Sequence, residues 1–220
     1  NGSHRWIPMP GGFNLQPSEI AKFAVALYLA DKLSRRNFNP NTLSGEMGKI
    51  LLVLGAVLGL IFKEPDLGTT VAVAAMAMVV LLVGGLKWRY CIGTGLAGLA
   101  GVAAIIIRTP YQMARILGFL DPWSHASGKG YQLINSLYAL GSGGFWGMGI
   151  GNSRQKLGFL PEQNTDFIFA IIGEELGFIG AGFIVILFLL LAWRGYMIAA
   201  RCKDTFGCIL ATGIVTSLVI

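Results

Sequence analysis

Long blocks of apolar residues constrain this chain more than any other feature of its sequence. Six such blocks occur, at 20–33, 47–62, 67–86, 90–107, 167–193 and from 206 onward. A helix of about 20 apolar residues spans a bilayer, and only 13% of the residues are charged, whereas soluble domains carry about 25%. The pattern predicts an all-α polytopic integral membrane protein with one membrane domain over 1–220.

Basic residues between the blocks predict how the helices cross the membrane. Lys and Arg concentrate in cytoplasmic loops. They flank the first linker and follow the third and fifth blocks, at Lys32, Arg35, Arg36, Lys49, Lys87, Arg89, Arg194, Arg201 and Lys203. Six alternating spans then place 1–16, 63–66 and 108–166 outside. The three cysteines fall at predicted cytoplasmic ends, so a disulfide framework is not indicated.

The remaining composition argues against several other classes of protein. The formal net charge of +6 comes without the basic runs and interleaved aromatic residues that nucleic-acid binding needs. His4 and His125 are isolated, which argues against a histidine metal site. Neither a P-loop nor a Ser-His-Asp pattern is present. The sequence therefore predicts no nucleic-acid partner and no protein-built metal site.

The outer segment 108–166 is too long for a structureless loop, and loops of this length are usually functional. Its residues 131–140 have helical apolar spacing, and the stretch 141–151 is rich in glycine. We expect short helices at the membrane surface, with glycines that allow tight backbone turns near a ligand.

Asp166 is the sharpest candidate for chemistry, because it lies where this polar loop meets the fifth apolar block. It is either a helix N-cap or a general base at the lipid–water boundary. Glu174 and Glu175 lie eight and nine residues further on, about 12 Å along a continuous helix. Ionisable groups at such depth face the protein interior or a wet cavity, and the alternative reading is an interhelical polar contact.

Two helix starts and a set of outer cations complete the candidates. Ser18 and Asp66 are predicted N-caps of the helices that follow them. Positive charges on the predicted outer side suit an anionic group such as pyrophosphate, with Arg favoured for forked hydrogen bonds. They are Arg5, Lys63, Arg108, Arg115, Lys129, Arg154 and Lys156. Each taken alone is also compatible with a solvated loop charge.

Ordered motifs along nearly the whole chain resemble one family, the SEDS proteins (shape, elongation, division, sporulation). They are Asn1-Gly-Ser-His-Arg-Trp-Ile7, Gln16-Pro-Ser-Glu-Ile-Ala-Lys22, Pro65-Asp-Leu-Gly-Thr69, Asp121-Pro-Trp123, Gly130-Tyr-Gln132, Gly149-Ile-Gly-Asn-Ser153, Leu160-Pro-Glu162, Thr165-Asp-Phe-Ile-Phe169 and Gly173-Glu-Glu-Leu-Gly177. Asp121-Pro-Trp123 and the segment 153–157 are more similar to the division branch (FtsW, SpoVE) than to the elongation branch (RodA).

The resemblance implies a SEDS-type bundle of ten transmembrane helices in the bacterial inner membrane, of which this chain holds about six as an interior fragment. It implies a peptidoglycan glycosyltransferase that polymerises lipid II in division, with Asp166 as the catalytic residue. Arg5 matches the motif arginine. Arg5, Lys63, Arg115, Lys156 and Glu174 form the predicted substrate-binding set.

The partners that the resemblance implies are lipid II, a class B penicillin-binding protein and other division membrane proteins, within membrane lipid. A divalent cation, Mg²⁺ or Mn²⁺, is a candidate companion of the pyrophosphate, although no cofactor is assigned. Two alternatives remain open: a lipid II flippase, for which Glu174 and Glu175 suit a translocation path, and a division scaffold without catalysis.

Thiol labelling tests the predicted sidedness. In a full-length protein freed of native cysteines, Thr165→Cys, next to Asp166, is expected to react with a membrane-impermeant maleimide added outside the cell. Lys203→Cys, on the predicted cytoplasmic side, is expected to react only after the membrane is opened. The reverse pattern would contradict the topology.

Overall fold

The computed structural model describes residues 7–8, 14–36, 38–40, 45–64, 66–126, 130–153 and 167–220. Its elements in chain order are β1 (Ile7–Pro8), β2 (Asn14–Leu15), α1 (Pro17–Leu33), α2 (Glu46–Lys63), α3 (Leu67–Val83), α4 (Trp88–Arg108), α5 (Pro110–Leu120), a 3₁₀ turn (Trp123–His125), α6 (Tyr131–Gly143), α7 (Ile168–Arg201) and α8 (Thr205–Val219). The two short strands pair antiparallel, with Ile7 opposite Leu15. Helices dominate the described residues, as the sequence predicts.

Each of the six apolar blocks forms a helix, namely α1, α2, α3, α4, α7 and α8. The short helices predicted within 108–166 are also found, as α5, the 3₁₀ turn and α6. The predicted spacing at 131–140 corresponds to α6, which extends to Gly143. The element types were therefore predictable from periodicity, and the differences lie mainly at element ends and inside α7.

The two predicted N-caps have opposite outcomes. Asp66 caps α3: its carboxylate accepts hydrogen bonds from the Thr69 backbone N–H (3.0 Å) and the Thr69 hydroxyl (2.8 Å). The prediction for Ser18 is wrong, because α1 begins at Pro17, with Gln16 in the capping position. Proline fits the first helical position, where the missing N–H has no partner to lose. Ser18 instead lies buried inside the first turn, 1% exposed.

The chain divides into two compact units, which are described separately: residues 1–96 with 190–220, and residues 97–189. In the first unit α1, α2, α3 and α8 pack around a shared apolar core. Fully buried members of that core include Leu29 on α1, Ile50 on α2, Val73 on α3 and Ile209 on α8. The prediction of one domain over 1–220 stays a prediction.

Contacts at both ends show that α1 and α3 run in the same direction. At their starts, the Gln16 side chain donates to the Asp66 carboxylate at 3.2 Å. At their ends, Leu33 packs so closely on Gly84 that a Cβ there would lie 2.7 Å from Leu33 Cδ1. Two parallel helices joined by α2 agree with the predicted alternation, in which the first and third blocks both end on one side of the membrane.

Small and hydroxyl side chains bring α8 close to its neighbours in the first unit. A Cβ at Gly213 would lie 3.0 Å from the Ala26 Cβ, so α8 and α1 approach closely there. The Tyr196 and Thr216 hydroxyls are 2.9 Å apart. Because lipid tails are as apolar as leucine, helices in membranes associate through such close packing and polar contacts. The contacts suit a lipid environment.

Apolar side chains cover the outside of the long helices. Helices α4 and α7 are long and apolar enough to cross a membrane, yet only 6% and 17% of their apolar windows are buried. A core helix of a soluble protein would be mostly buried, and soluble proteins rarely expose contiguous apolar surfaces of this extent. On α7, Phe183, Phe188 and Leu189 are each at least 57% exposed. The protein is a membrane protein.

Removal of the Asp66 carboxylate tests its capping role. Asp66→Ala removes the cap of α3 together with the hydrogen bond from Gln16, and is expected to lower the free energy of unfolding by about 1–2 kcal/mol. Thermal unfolding of the full-length protein in detergent measures this. The control Asp31→Ala breaks an exposed ion pair with Arg35, which costs about 0.5 kcal/mol. Equal losses in the two variants would refute the assignment.

Candidate functional site

Helix α7 is broken near its beginning. Gly177 has φ 69° and ψ −170°, which divides α7 into a short helix, 168–176, and a long one, 178–201. The long part has 24 residues, or about 36 Å, enough to cross a bilayer unaided. The prediction of an unbroken helix through 167–193 is therefore wrong, and Glu174 and Glu175 belong to the short helix that precedes the break.

The glycine-rich segment after α6 pairs with the backbone groups that the break exposes. On one side of Gly177, the N–H groups of Met148 and Gly149 donate to the Glu174 and Glu175 carbonyls at 2.9 and 3.0 Å. On the other side, the N–H of Phe178 donates to the Gly144 carbonyl at 2.8 Å. Ile179 N–H likewise donates to the Phe145 carbonyl at 3.3 Å. Broken helices persist in membranes when neighbouring protein satisfies the backbone in this way.

Close backbone contact requires glycine on both sides of this pairing. A Cβ at Gly147, which has a φ of +80°, would lie 2.2 Å from the Glu175 carbonyl oxygen. A Cβ at Gly177 would lie 2.3 Å from the Gly147 nitrogen. Its combination of φ and ψ is itself accessible essentially to glycine alone. The predicted tight turns of 141–151 are therefore present, and they serve to join this segment to α7.

Glu174 anchors the end of the same segment. Its side chain is 1% exposed and accepts a hydrogen bond of 2.5 Å from the Ser153 hydroxyl, which is itself buried. Of the two surroundings expected for Glu174, the protein interior or a wet cavity, its burial agrees with the first. A short hydrogen bond to a carboxylate is among the stronger polar contacts in proteins. The segment 143–153 is thus fastened to α7 by backbone pairing at its middle and by a side-chain contact at its end.

The predicted catalytic residue lies in the segment that continues from this anchor. Asp166 and Lys156 fall within 154–166, and Arg5 within 1–6, so all three lie outside the described residues. Both described ends of the gap meet the short helix of α7. Ser153 contacts Glu174, and Phe167, the residue after Asp166, accepts the first hydrogen bonds of α7. The stretch that carries Asp166 therefore leaves from a residue held on the short helix by a side-chain contact, and is followed by the residue that opens the same helix.

The two described cations of the predicted set are exposed on separate elements. Lys63 ends α2, and Arg115 lies on α5. Among the residues that the structure describes, no ion pair or hydrogen bond engages either side chain. The described part of the chain also holds no group of three or more His, Cys, Asp or Glu side chains placed to bind a metal ion.

The motif Asp121-Pro-Trp123 forms a turn that packs on α6. The Asp121 carboxylate accepts hydrogen bonds from the Ser124 hydroxyl at 2.6 Å and the Ser124 backbone N–H at 3.3 Å. These bonds hold the pKa of Asp121 below its usual value. The Trp123 ring meets Tyr138 of α6 edge-on, with centroids 5.8 Å apart. The motif thus fixes the connection between α5 and α6.

Sequence reasoning missed three parts of this arrangement: the break at Gly177, the pairing of Met148 and Gly149 with it, and the contact of Ser153 with Glu174. Two signals were available in the sequence. The apolar run from 167 is longer than one span needs, and a glycine directly after Glu174-Glu-Leu176 is a typical helix end. The partner segment could not be identified without the tertiary structure, because hydrogen bonds between backbones carry no side-chain signature.

Comparison with known proteins identifies the family. The model of the FtsW, RodA and SpoVE family, described as cell cycle proteins, matches residues 1–220. The chain belongs to this family. It is 42% identical over 213 residues to a probable peptidoglycan glycosyltransferase FtsW from Geobacter sp. (strain M18), covering 97% of this chain and 58% of that protein. It is also 41% identical over 220 residues to the stage V sporulation protein E of Bacillus subtilis (strain 168), covering all of this chain and 60% of that protein.

Solved structures of the FtsW, RodA and SpoVE family share the fold. One, from a study of how a peptidoglycan synthase complex coordinates polymerization and crosslinking, has a TM-score of 0.74 at 28% identity and covers 99% of this chain and 60% of its own. The rod shape determining protein RodA of Thermus thermophilus has a TM-score of 0.61 at 26% identity, covering 99% of this chain and 54% of its own. The chain thus spans little more than half the length of these relatives.

Substitution of Gly177 tests the break in this member of the family. Gly177→Ala forces a strained backbone and a collision with Gly147, and is expected to lower the free energy of unfolding by at least about 1–3 kcal/mol. The matched control on the same helix is Gly182→Ala, whose Cβ meets nothing within 4 Å, with an expected change within about 0.5 kcal/mol. Thermal unfolding in detergent measures both. A Gly177→Ala protein as stable as Gly182→Ala would mean that α7 is unbroken.

Proposed function

We propose that the full-length protein is a division-type peptidoglycan glycosyltransferase that polymerises lipid II into glycan strands. Relatives that are about 40% identical over nearly the whole chain carry the name probable peptidoglycan glycosyltransferase FtsW. A structural neighbour comes from a peptidoglycan synthase complex. The observation that carries the proposal is the broken start of α7, because Ser153, before the segment bearing Asp166, is hydrogen-bonded to Glu174 there, and Phe167, after it, opens the same short helix.

In the proposed reaction, a sugar hydroxyl of one lipid II attacks the anomeric carbon of the growing lipid-linked strand. A new carbon–oxygen bond forms, and the bond between that carbon and polyprenyl pyrophosphate breaks. Asp166 takes the proton of the attacking hydroxyl as general base, and the pyrophosphate departs with the bonding electrons. A positioned base contributes about 10²–10⁴ in rate. The contact of Ser153 with Glu174 and the start of α7 directly after Phe167, on the two sides of 154–166, support that positioning.

The leaving group carries negative charge that cations must stabilise. We assign this role to Arg5, Lys63, Arg115 and Lys156. The support for Lys63 and Arg115 is that both are exposed and that no carboxylate pairs with either among the described residues. A divalent cation, Mg²⁺ or Mn²⁺, would add charge neutralisation to the pyrophosphate when bound.

Glu174 has a different part in the proposal. It belongs to the predicted substrate-binding set, yet its carboxylate is buried and accepts the Ser153 hydroxyl. A side chain engaged in this way is better suited to hold the protein than to bind a sugar. We therefore assign Glu174 to positioning: it fixes Ser153, the residue from which the segment with Asp166 departs.

Replacement of the proposed base is the direct test. Asp166→Asn keeps the size of the side chain and removes the carboxylate. The purified full-length variant, supplied with its penicillin-binding partner and labelled lipid II, is expected to lose about 10²–10⁴ in polymerisation rate. Gel separation of the labelled glycan strands measures the product.

The matched control for that test is Asp31→Asn. It removes the carboxylate of an exposed ion pair with Arg35 near the C-terminal end of α1. It is expected to polymerise at the wild-type rate. Substantial glycan made by Asp166→Asn would remove Asp166 from the role of base. Equal loss in both variants would mean that the assay reports folding or membrane insertion instead of chemistry.

Transport of lipid II is a second candidate, favoured by one specific observation. The break at Gly177 lies beside the buried Glu174, and discontinuous helices next to ionisable groups are typical of binding sites in transporters. Liposomes loaded with labelled lipid II separate the two functions, because transport moves the precursor without lengthening it. Translocation retained by Asp166→Asn would indicate that the protein has a transport activity separate from polymerisation.

The proposal extends to location and partners. Alternation of the basic linkers supports a multi-pass protein of the bacterial inner membrane with 108–166 outside, where lipid II is polymerised. The synthase complex among the structural neighbours couples polymerization with crosslinking. We accordingly assign a class B penicillin-binding protein as the crosslinking partner, and other division membrane proteins as further contacts.

A further inference from the structure

A groove lies at the C-terminal end of α7, away from the broken start of that helix. It has a volume of about 470 Å³ and is lined by Arg194, Met197, Ile198, Arg201 and Cys202. All five residues belong to the first compact unit. Neither the proposed reaction nor the predicted substrate-binding set involves any of them.

Helical spacing gives the groove a charge at each end and an apolar middle. Arg194 and Arg201 are seven residues apart, two turns along one face of a helix and about 10 Å along its axis. Met197 and Ile198, at the intervening i+3 and i+4 positions, lie on the same face. The surface therefore presents two guanidinium groups on either side of an apolar strip.

In the part of the chain that the structure describes, neither of these two charges is neutralised by a carboxylate, although the Arg194 guanidinium lies over the Trp193 ring, 5.8 Å from its centroid. Within the described residues, no carboxylate forms an ion pair with Arg194 or Arg201, and both side chains are exposed. The nearest acidic residue along the chain is Asp204. Its carboxylate caps α8 by accepting the Gly207 backbone N–H at 2.9 Å. The groove is therefore positively charged and electrostatically suited to an anion.

The positions of Arg194 and Arg201 along the helix distinguish them from ordinary surface charges. The helix 178–201 has 24 residues, about 36 Å in length, whereas the hydrocarbon core is about 30 Å thick. Arg201 therefore reaches the headgroup layer, and Arg194 starts about two turns deeper and extends its long side chain toward that layer. Trp193, 56% exposed beside Arg194, is of the kind that marks a membrane interface.

We propose that this groove binds the phosphate headgroup of an anionic phospholipid in the cytoplasmic leaflet. The two guanidinium groups donate forked hydrogen bonds to the phosphate oxygens, which suit arginine better than lysine. An acyl chain lies along Met197 and Ile198. A lipid fits better than a soluble anion, because the middle of the groove is apolar and its Arg194 end lies deeper in the membrane than its Arg201 end. Basic pockets on the cytoplasmic side of helix bundles bind such headgroups.

Lipid titration of the purified full-length protein tests the site. Native mass spectrometry counts the lipids retained when short-chain phosphatidylglycerol, phosphatidylcholine or inorganic phosphate is added. We expect wild-type protein to retain phosphatidylglycerol in preference to phosphatidylcholine, and not to retain phosphate. Arg194→Gln and Arg201→Gln are each expected to weaken phosphatidylglycerol binding about fivefold, the effect of one basic residue near an anionic surface. Arg201→Lys keeps the positive charge but cannot donate a forked pair of hydrogen bonds. Its affinity for phosphatidylglycerol is expected to lie between those of the Gln variants and wild type.

The matched control is Arg89→Gln, which removes an exposed arginine that stacks on Tyr90 and does not line the groove. It is expected to retain phosphatidylglycerol as wild type does. If Arg89→Gln lost as much phosphatidylglycerol binding as the groove variants, the lipid would be held by general attraction to a basic surface, and the proposal would be overturned. Equal retention of phosphatidylcholine by wild type, or of inorganic phosphate alone, would also overturn it, because the groove would then select for apolar chains or for any free anion.

Discussion

Backbone hydrogen bonding at the break in α7 is the constraint on which the rest of this structure depends. Where Gly177 interrupts α7, the carbonyls before it and the N–H groups after it lose their helical partners, and buried backbone groups without partners are costly. The segment 144–149 supplies the missing partners. Its glycines are required because the two backbones approach within the distance that any Cβ would occupy.

The break turns one long helix into a scaffold for a loop. The short helix before the break, 168–176, contains Glu174, whose buried carboxylate accepts a hydrogen bond from Ser153. Ser153 and Phe167 flank 154–166, so the residue before this segment is held on the short helix and the residue after it opens that helix. In the proposed function this arrangement would favour catalysis, since a base must be held before the reaction begins.

Periodicity predicted much of the fold and less of the site. The six apolar blocks, the helical spacing of 131–140 and the cap at Asp66 follow from local rules, and each is present. The expectation for Ser18 is wrong because serine commonly caps helices, whereas proline at position 17 starts α1 two residues earlier than a Ser18 cap would. Glu174 was recognised as interior-facing, but its partner Ser153 lies 21 residues away, beyond the reach of any local pattern.

The sequence by itself determined that the chain is a helical membrane protein, because apolar runs of that length are stable as helices in lipid. Its ordered motifs also determined the family. The tertiary structure alone decided which backbones pair across the break in α7 and that Glu174 accepts a hydrogen bond from the hydroxyl of Ser153. Each of these depends on contacts between distant segments, and such contacts are chosen by the packing of the whole chain.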